Sequence, residues 1–217
     1  MNAAIVGATG LVGQILLETM ISSGLYENIW VVGRRRPAIE HSLITFSQSE
    51  LTDICALTPP FAIHHSYCCL GTTIKQAGSQ TQFIAVDKTA VLDFVAVCKA
   101  QTNLVITALG ANRHSKVFYN RIKGEVEQAL ILHCQKQQSK LVLFQPSLLL
   151  GKRPQQRTLE DFGQALMPYL QWLMVGKLQQ YQPIAAETVA KAMLQHSQIL
   201  LSKPVNIVNN QQMLALK

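Results

Sequence analysis

The feature that most constrains the fold of this chain is a glycine-rich turn near its start. An apolar strand at residues 3–6 leads into the turn, and a helix with apolar positions begins near Gly10. Gly7 permits a tight turn, Gly10 lets backbone approach a pyrophosphate, and Gly13 lets the helix pack close to the sheet. Because the first N–H groups of a helix lack partners within it, the turn predicts an anion site in a nucleotide-binding βαβ unit. A tight turn that holds no ligand is the alternative.

Three consecutive arginines follow the second predicted strand, at residues 29–32, and their position indicates the kind of dinucleotide. In this fold the adenosine ribose lies at that point, where an acidic residue binds the 2′-hydroxyl of NAD. Gly33 occupies the usual acidic place, while Arg34, Arg35 and Arg36 come next. Guanidinium groups bind the 2′-phosphate of NADP by charge-assisted hydrogen bonds, so NADPH is the predicted cofactor. A basic turn that serves only solubility is the alternative.

Strand and helix signals alternate along the rest of the chain. Strands are predicted at residues 43–46, 65–70, 104–107, 141–144 and 205–208, and helices at 51–57, 83–100, 116–138 and 185–196. This alternation predicts an α/β fold with a doubly wound parallel sheet of the Rossmann type, and a ligand crevice at the carboxyl ends of the strands. We expect a single domain over residues 1–217, with a cofactor half at about 1–150 and a short C-terminal substrate part at about 151–217.

Composition narrows the function classes. No apolar run approaches the ~18 residues that span a bilayer, and no leader precedes the first strand, so we expect a soluble cytoplasmic protein without a membrane partner. The five cysteines form no C-x-x-C pair, so neither a disulfide framework nor a metal site is predicted. The net charge of +7 comes without aromatic residues interleaved among the basic ones. No nucleic-acid partner is therefore predicted.

A tyrosine and a lysine lie four residues apart in the predicted helix 116–138. That spacing leaves a rotation of about 40°, so Tyr119 and Lys123 project to one side. A nearby ammonium lowers the cost of giving up the phenolic proton, which suits a general acid that protonates an alkoxide during carbonyl reduction. Lysine can also hydrogen-bond the nicotinamide ribose. The pair occurs by chance in many chains, but here it follows a strand that ends at Thr107, downstream of the glycine turn.

Four motifs together resemble the atypical short-chain dehydrogenases/reductases. They are GATGLVG at residues 7–13, VGRRRP at 32–37, CCLGTTIKQAGS at 68–79 and ALGANRHSKVFYNRIKGEVE at 108–127. Within that family the chain is similar to the oxidoreductase group of the HIV Tat-interacting protein TIP30, including its small bacterial relatives. The resemblance extends from residue 1 to about residue 153.

The resemblance implies a set of contacts along an NADPH molecule. These are Thr9, Gly10, Leu11 and Val12 at the pyrophosphate, Arg34 and Arg35 at the 2′-phosphate, Leu70 and Gly71 at the adenine-ribose side, and Leu149 and Arg157 at the nicotinamide end. The family pattern also makes Tyr119 the proton donor or acceptor. Lys123 then holds the cofactor ribose and tunes the tyrosine.

Two positions depart from the family pattern. Thr107 and Ala108 stand where the family often has two serines. Thr107 is therefore the only hydroxyl there that can orient a substrate carbonyl, and its β-branched side chain is stiffer than serine. Gln145 replaces an arginine that commonly precedes the family proline, so a charge near the active-site mouth is missing.

The leading hypothesis is an NADPH-dependent reductase of a small carbonyl compound, in which the nicotinamide delivers hydride and Tyr119 delivers the proton. The alternative is an NADPH-binding regulatory or scaffold protein without turnover. The presence of both Tyr119 and Lys123 favours the enzyme. Because only about 65 residues follow Gly151, a large sugar-nucleotide lobe is not expected. We expect a small substrate, or one held partly by a protein partner or a second copy in a homodimer.

Overall fold

Seven parallel strands form the central sheet in the computed structural model, which describes residues 1–151, 180–199 and 203–216. The strands of the chain are β1 (Asn2–Val6), β2 (Asn28–Gly33), β3 (Ile44–Gln48), β4 (His65–Cys68), β5 (Thr102–Ile106), β6 (Lys140–Gln145), β7 (Leu149–Leu150), β8 (Ile184–Ala185) and β9 (Val205–Asn209). The order in the sheet is β3-β2-β1-β4-β5-β6-β9, and β7 pairs with β8 alone. The chain winds outward from β1 in both directions, which confirms the predicted doubly wound Rossmann-type sheet.

Helices cover both faces of this sheet. They are α1 (Leu11–Ser22), α2 (Ile74–Ala77), α3 (Gln80–Ile84), α4 (Ala90–Cys98), α5 (Phe118–Lys136), α6 (Ala186–Gln198) and α7 (Asn210–Ala215), with a 3₁₀ turn at Ile54–Ala56 and a π-helical turn at Ala85–Thr89. Residues of α1, α6 and α7 pack on one face, and residues of α4 and α5 pack on the other. Among the described helices, none combines the length and apolar composition that crossing a membrane requires.

The first strand shows why the apolar runs in this sequence are continuous. Ala3 and Ile5 belong to the core under α1 and α6, whereas Ala4 and Val6 belong to the core under α4 and α5. All four side chains are fully buried. A strand covered on both faces has no solvent side, so it carries no polar alternation. The position of the glycine turn is fixed because the strand that leads into it is the centre of both cores.

The structure differs from the sequence prediction in several elements, among them α2, β7 and β8, which were not predicted. The predicted helix 83–100 is divided by the π-helical turn, which lies between α3 and α4. The predicted helix 51–57 shortens to a 3₁₀ turn. The C-terminal tail, for which no element was predicted, contains α7, whose capping box joins Asn209 and Gln212. That Asn-x-x-Gln spacing is a helix-start signal in the sequence.

A buried polar network lies where the α1–β2 connection, β4 and α6 meet. The hydroxyl oxygen of Tyr26 lies 2.6 Å from that of Tyr67, 2.8 Å from Nδ1 of His65 and 3.4 Å from Oγ of Ser197. Burial is the largest cause that lowers the pKa of His65 to about 4, and the positive charges of His64 and the N-terminus act in the same direction. His65 is therefore neutral in the folded protein at neutral pH.

We expect acid to weaken the fold through His65. An exposed imidazole has a pKa of about 6.5, so below that pH the unfolded chain binds a proton that the folded chain refuses until about pH 4. The free energy of unfolding should fall as the pH is lowered through this window. Urea midpoints between pH 7.5 and pH 4 measure it. The His65→Gln variant should lose this part of the decline, whereas replacing the exposed His114 should not. An identical decline in His65→Gln and the parent contradicts the prediction.

Candidate functional site

A cleft with a volume of about 1960 Å³ opens above the carboxyl ends of the sheet strands. Its walls are the loops that follow β1, β2, β4, β5 and β6, together with the beginning of α5 and the chain on either side of β8. All five loops leave the carboxyl ends of parallel strands, where open α/β sheets bind their ligands. The cleft therefore lies where the sequence predicted a ligand crevice.

The glycine turn forms one end of the cleft. Gly7 has a φ of +80°, a backbone conformation that favours glycine, and a Cβ there would lie 2.7 Å from the carbonyl carbon of Cys69. A Cβ on Gly13 would lie 2.1 Å from the carbonyl oxygen of Gly7. Gly10 caps α1 without a side-chain hydrogen bond, so the first N–H groups of the helix face the cleft without a capping side chain. This is the geometry of an anion site.

Most of the predicted cofactor-binding residues line the cleft. These are Thr9, Gly10, Leu11, Val12, Arg35, Leu70, Gly71, Tyr119, Lys123 and Leu149. Gly7 and Gly13 lie behind the lining and shape the turn. Arg157 lies outside the described residues. The contacts of all these residues with a cofactor stay predictions.

All three arginines of the loop after β2 are exposed, and two of them line the cleft. Arg35 and Arg36 line the cleft, whereas Arg34 is exposed outside its lining. The guanidinium carbon of Arg36 lies 5.2 Å from the centroid of the Phe46 ring, a cation–π contact that holds the side chain beside β3. The lining of the cleft thus includes Arg36 beside Arg35, and the predicted contact of Arg34 with the 2′-phosphate stays a prediction. Consecutive residues in a loop project in different directions, and the sequence alone does not say which two of three arginines turn inward.

Tyr119 and Lys123 lie side by side on the opposite wall, as the helical spacing predicted. Nζ of Lys123 is 6.0 Å from the centroid of the Tyr119 ring. The rings of Phe83 and Tyr119 have centroids 5.6 Å apart, which supports the tyrosine from behind. Burial raises the pKa of Tyr119 more than the Lys123 ammonium lowers it, and the charge of Asp87 raises it further. The phenol therefore keeps its proton, as a proton donor must.

Asp87, in the π-helical turn, forms an ion pair with Lys123 of this wall. Its side chain is fully buried, and Oδ1 lies 2.7 Å from Nζ of Lys123. Oδ2 accepts a hydrogen bond of 2.9 Å from the backbone N–H of Thr72, in the loop that follows β4. Asp87 of the π-helical turn thus connects Lys123 to the loop that follows β4. Sequence reasoning missed Asp87 because no short-range pattern links it to Lys123.

Thr107 does not present a free hydroxyl proton to the cleft. Its Oγ1 donates to Oε1 of Glu127 over 2.6 Å and lies 3.3 Å from the carbonyl oxygen of Phe144. A hydroxyl has one proton, so the predicted donation to a substrate carbonyl competes with Glu127. Nε2 of Gln145 donates to the same Oε1 over 2.8 Å. Glu127 follows Lys123 by four residues, a helical spacing that the sequence already contained.

Comparisons with known proteins agree with this geometry. No protein-family model matches the chain. The HTATIP2 protein of Rattus norvegicus is 32% identical over 161 residues, which cover 70% of this chain and 64% of the rat protein. The mitochondrial protein FMP52-1 of Scheffersomyces stipitis is 27% identical over 177 residues, which cover 78% of this chain and 77% of that protein. The chain is similar to HTATIP2 and FMP52-1, and its motifs resemble those of the atypical short-chain dehydrogenases/reductases. It spans 64% of the length of the rat relative.

Solved structures show a similar fold. The enzyme WbmF of Bordetella bronchiseptica, in complex with NAD⁺ and UDP, superposes with a TM-score of 0.70 at 15% identity. The match covers 96% of this chain and 71% of WbmF. At that identity the likeness shows the fold, which is the Rossmann-type NAD(P)-binding fold.

Two further residues shape the cleft, and sequence reasoning passed over both. A Cβ on Gly124 would lie 2.1 Å from the backbone nitrogen of Arg113, so α5 can pack against the loop after β5 only through glycine. Asn210 is fully buried. Its Oδ1 accepts from the backbone N–H of Ser147 over 3.0 Å, and its Nδ2 donates to the carbonyl oxygen of Gln182 over 2.7 Å. The first residue of α7 therefore fixes the loop after β6.

Proposed function

We propose that this protein is an NADPH-dependent oxidoreductase that transfers hydride to or from a small carbonyl or alcohol substrate. The observation that carries the proposal is the protonated phenol of Tyr119 beside Lys123, on the wall of a cleft that ends at an uncapped helix N-terminus. The cleft joins an anion site to a proton donor. A reductase that uses a phosphorylated dinucleotide needs both.

The glycine turn and the arginines of the cleft are suited to the phosphate groups of NADPH. The close approach of Gly13 to the carbonyl of Gly7 keeps the turn narrow and leaves the first N–H groups of α1 for the pyrophosphate. Arg35 and Arg36 give the adenosine end two positive charges, which suit a 2′-phosphate. When bound, NADPH supplies the hydride chemistry.

Tyr119 of α5 supplies the proton for carbonyl reduction. In the direction of reduction, Tyr119 donates its hydroxyl proton to the oxygen of the carbonyl as negative charge develops there. The Lys123 ammonium stabilises the phenolate that remains, because an opposite charge favours the ionised form. Asp87 holds that ammonium in place at 2.7 Å. In the direction of oxidation the reverse transfer takes place: the Tyr119 phenolate, stabilised by the Lys123 ammonium, accepts the proton of an alcohol.

Calorimetric titration with NADPH and NADH tests the cofactor assignment. We expect NADPH to bind more tightly, and the double variant Arg35→Ala/Arg36→Ala to lose most of the preference. Hydrogen bonds to a charged group contribute about 1.5–3 kcal/mol, so the expected loss is roughly 10- to 150-fold. Arg34→Ala is the matched control, because Arg34 lies outside the cleft lining, and it should keep the preference. Equal affinities of the parent protein for the two cofactors exclude NADPH specificity.

The second candidate function is an NADPH-binding regulatory or scaffold protein without turnover. The engagement of Thr107 with Glu127 favours it, because the hydroxyl proton that would orient a carbonyl is already donated. A screen of NADPH oxidation across ketones, aldehydes and quinones separates the two functions. Cofactor binding without oxidation of NADPH by any carbonyl class supports the regulatory function.

A further inference from the structure

A buried carboxyl group lies directly behind the substrate wall of the cleft. Glu127 is 8% exposed and sits between the ends of β5 and β6. Its Oε1 accepts one hydrogen bond from Thr107 and one from Gln145. Among the ion pairs of the described residues, none includes Glu127. Within the described part of the chain, the charge of an ionised Glu127 is thus offset by neutral donors.

Two other charged side chains of α5, Lys123 and Glu125, are held in ion pairs. Lys123, one turn before Glu127 on the same helix, is bound to Asp87 of the π-helical turn. Lys88 of that turn is bound to Glu125 over 2.6 Å. The strand ends contribute neutral groups to the carboxyl, namely Thr107 and Gln145. Burial therefore raises the pKa of Glu127 more than the two hydrogen bonds and the field of Lys123 lower it.

Thr107 stands between this carboxyl and the cleft. Thr107 lines the cleft, and both polar partners of its hydroxyl, Glu127 and the carbonyl of Phe144, are on the protein side. When Glu127 is ionised it can only accept, so the single proton of Thr107 points away from the cleft. When Glu127 is protonated it can donate to Oγ1, and the proton of Thr107 is then available to the carbonyl oxygen of Phe144, at the long distance of 3.3 Å, or to an acceptor in the cleft.

We propose that Glu127 is a positioning residue that sets the hydrogen-bond direction of Thr107. A protonated Glu127 releases the hydroxyl of Thr107 to donate to a carbonyl oxygen in the cleft. An ionised Glu127 retains that proton and leaves an oxygen lone pair that accepts from an alcohol. The inference rests on the proposed oxidoreductase function, and it makes carbonyl binding stronger at a pH below the titration of Glu127 than above it.

The first part of the test is carried out without cofactor. In protein labelled with ¹³C at the glutamate side-chain carboxyl, NMR follows each titration, and Glu127→Gln assigns the signal. We expect Glu127 to titrate above the ordinary glutamate range. Thr107→Val should move its midpoint to a higher pH because the charged form loses a donor, whereas Thr107→Ser should leave it unchanged. An ordinary midpoint that Thr107→Val does not move overturns the inference.

The second part measures binding of isobutyramide, a carbonyl probe that is not reduced, to the complex with NADP⁺. The dissociation constant should be about 3- to 10-fold lower below the Glu127 midpoint than above it, the effect of one hydrogen bond. Thr107→Val should remove the difference. Tyr119→Phe should weaken binding equally at both pH values, because the phenol stays protonated throughout. Gln145→Arg places a cation beside Glu127, so it should keep the carboxylate ionised and binding weak at both pH values.

The two parts separate this inference from the proposed function. If NADP⁺ does not bind, the proposed function fails, while the carboxyl titration still reports whether Thr107 and Glu127 are coupled. If NADP⁺ binds and isobutyramide binds equally at both pH values or does not bind, the inference is overturned and the cofactor assignment stands. Gln145→Arg keeps the test available if Thr107→Val does not fold.

Discussion

Gly13→Ala is expected to reduce both the stability of the protein and its affinity for NADPH. The added Cβ would lie 2.1 Å from the carbonyl oxygen of Gly7, and all three of its nearest neighbours are backbone atoms. Backbone at the end of a central strand cannot move without disturbing both cores. The cost of such overpacking is about 1–3 kcal/mol, which exceeds the ~1 kcal/mol that alanine gains over glycine in a helix interior.

The change should also displace the N–H groups that start α1. Loss of one or two charge-assisted hydrogen bonds to phosphate weakens NADPH binding by about 10-fold or more. Gly33→Ala is the matched control, because a Cβ there would meet its nearest neighbour, the carbonyl oxygen of Arg35, at 3.7 Å. Thermal unfolding and calorimetry measure the two effects. A Gly13→Ala variant with the stability and affinity of Gly33→Ala shows that the turn tolerates a side chain.

Local patterns were sufficient to predict the parts of the site that depend on neighbours in sequence. Gly7, Gly10 and Gly13 act within one turn, so their spacing contains the geometry of the strand-to-helix connection. Tyr119 and Lys123 share a helix face for the same reason. The sheet followed from continuous apolar runs separated by helical segments, since strands buried on both faces lack polar alternation.

The parts that were missed depend on contacts between distant segments. Asp87 reaches Lys123 because a π-helical turn interrupts a segment that has ordinary helical periodicity in the sequence. Glu127 meets Thr107 and Gln145 only because β5 and β6 are neighbours in the sheet. The glutamine at position 145 has a direct consequence for the charge of Glu127. Its amide replaces an expected arginine, so among the described residues no cation is ion-paired with the carboxyl behind the cleft, and that carboxyl can change protonation state.

Tyr119→Phe is expected to lower carbonyl reduction by ~10²-fold or more, the usual effect of removing a general acid. The ring of Tyr119 packs against Phe83, with centroids 5.6 Å apart, and phenylalanine keeps that contact. NADPH affinity should therefore barely change. Lys123→Ala should weaken both binding and turnover, and it should also destabilise the fold, because Asp87 is then a buried charge without its partner.

The pH dependence of NADPH oxidation by the parent protein tests the role of Tyr119 in a second way. Burial raises the pKa of Tyr119 above that of a free phenol, so the proton donor is present across neutral pH and reduction should not lose it as the pH rises to about 9. Steady-state rates of NADPH oxidation with a reducible ketone, aldehyde or quinone measure both effects. Tyr181→Phe is the control for loss of a phenol, because Tyr181 is 53% exposed at the cleft. Full turnover by Tyr119→Phe, with NADPH bound as in the parent, assigns the proton to another group and reduces Tyr119 to a packing residue.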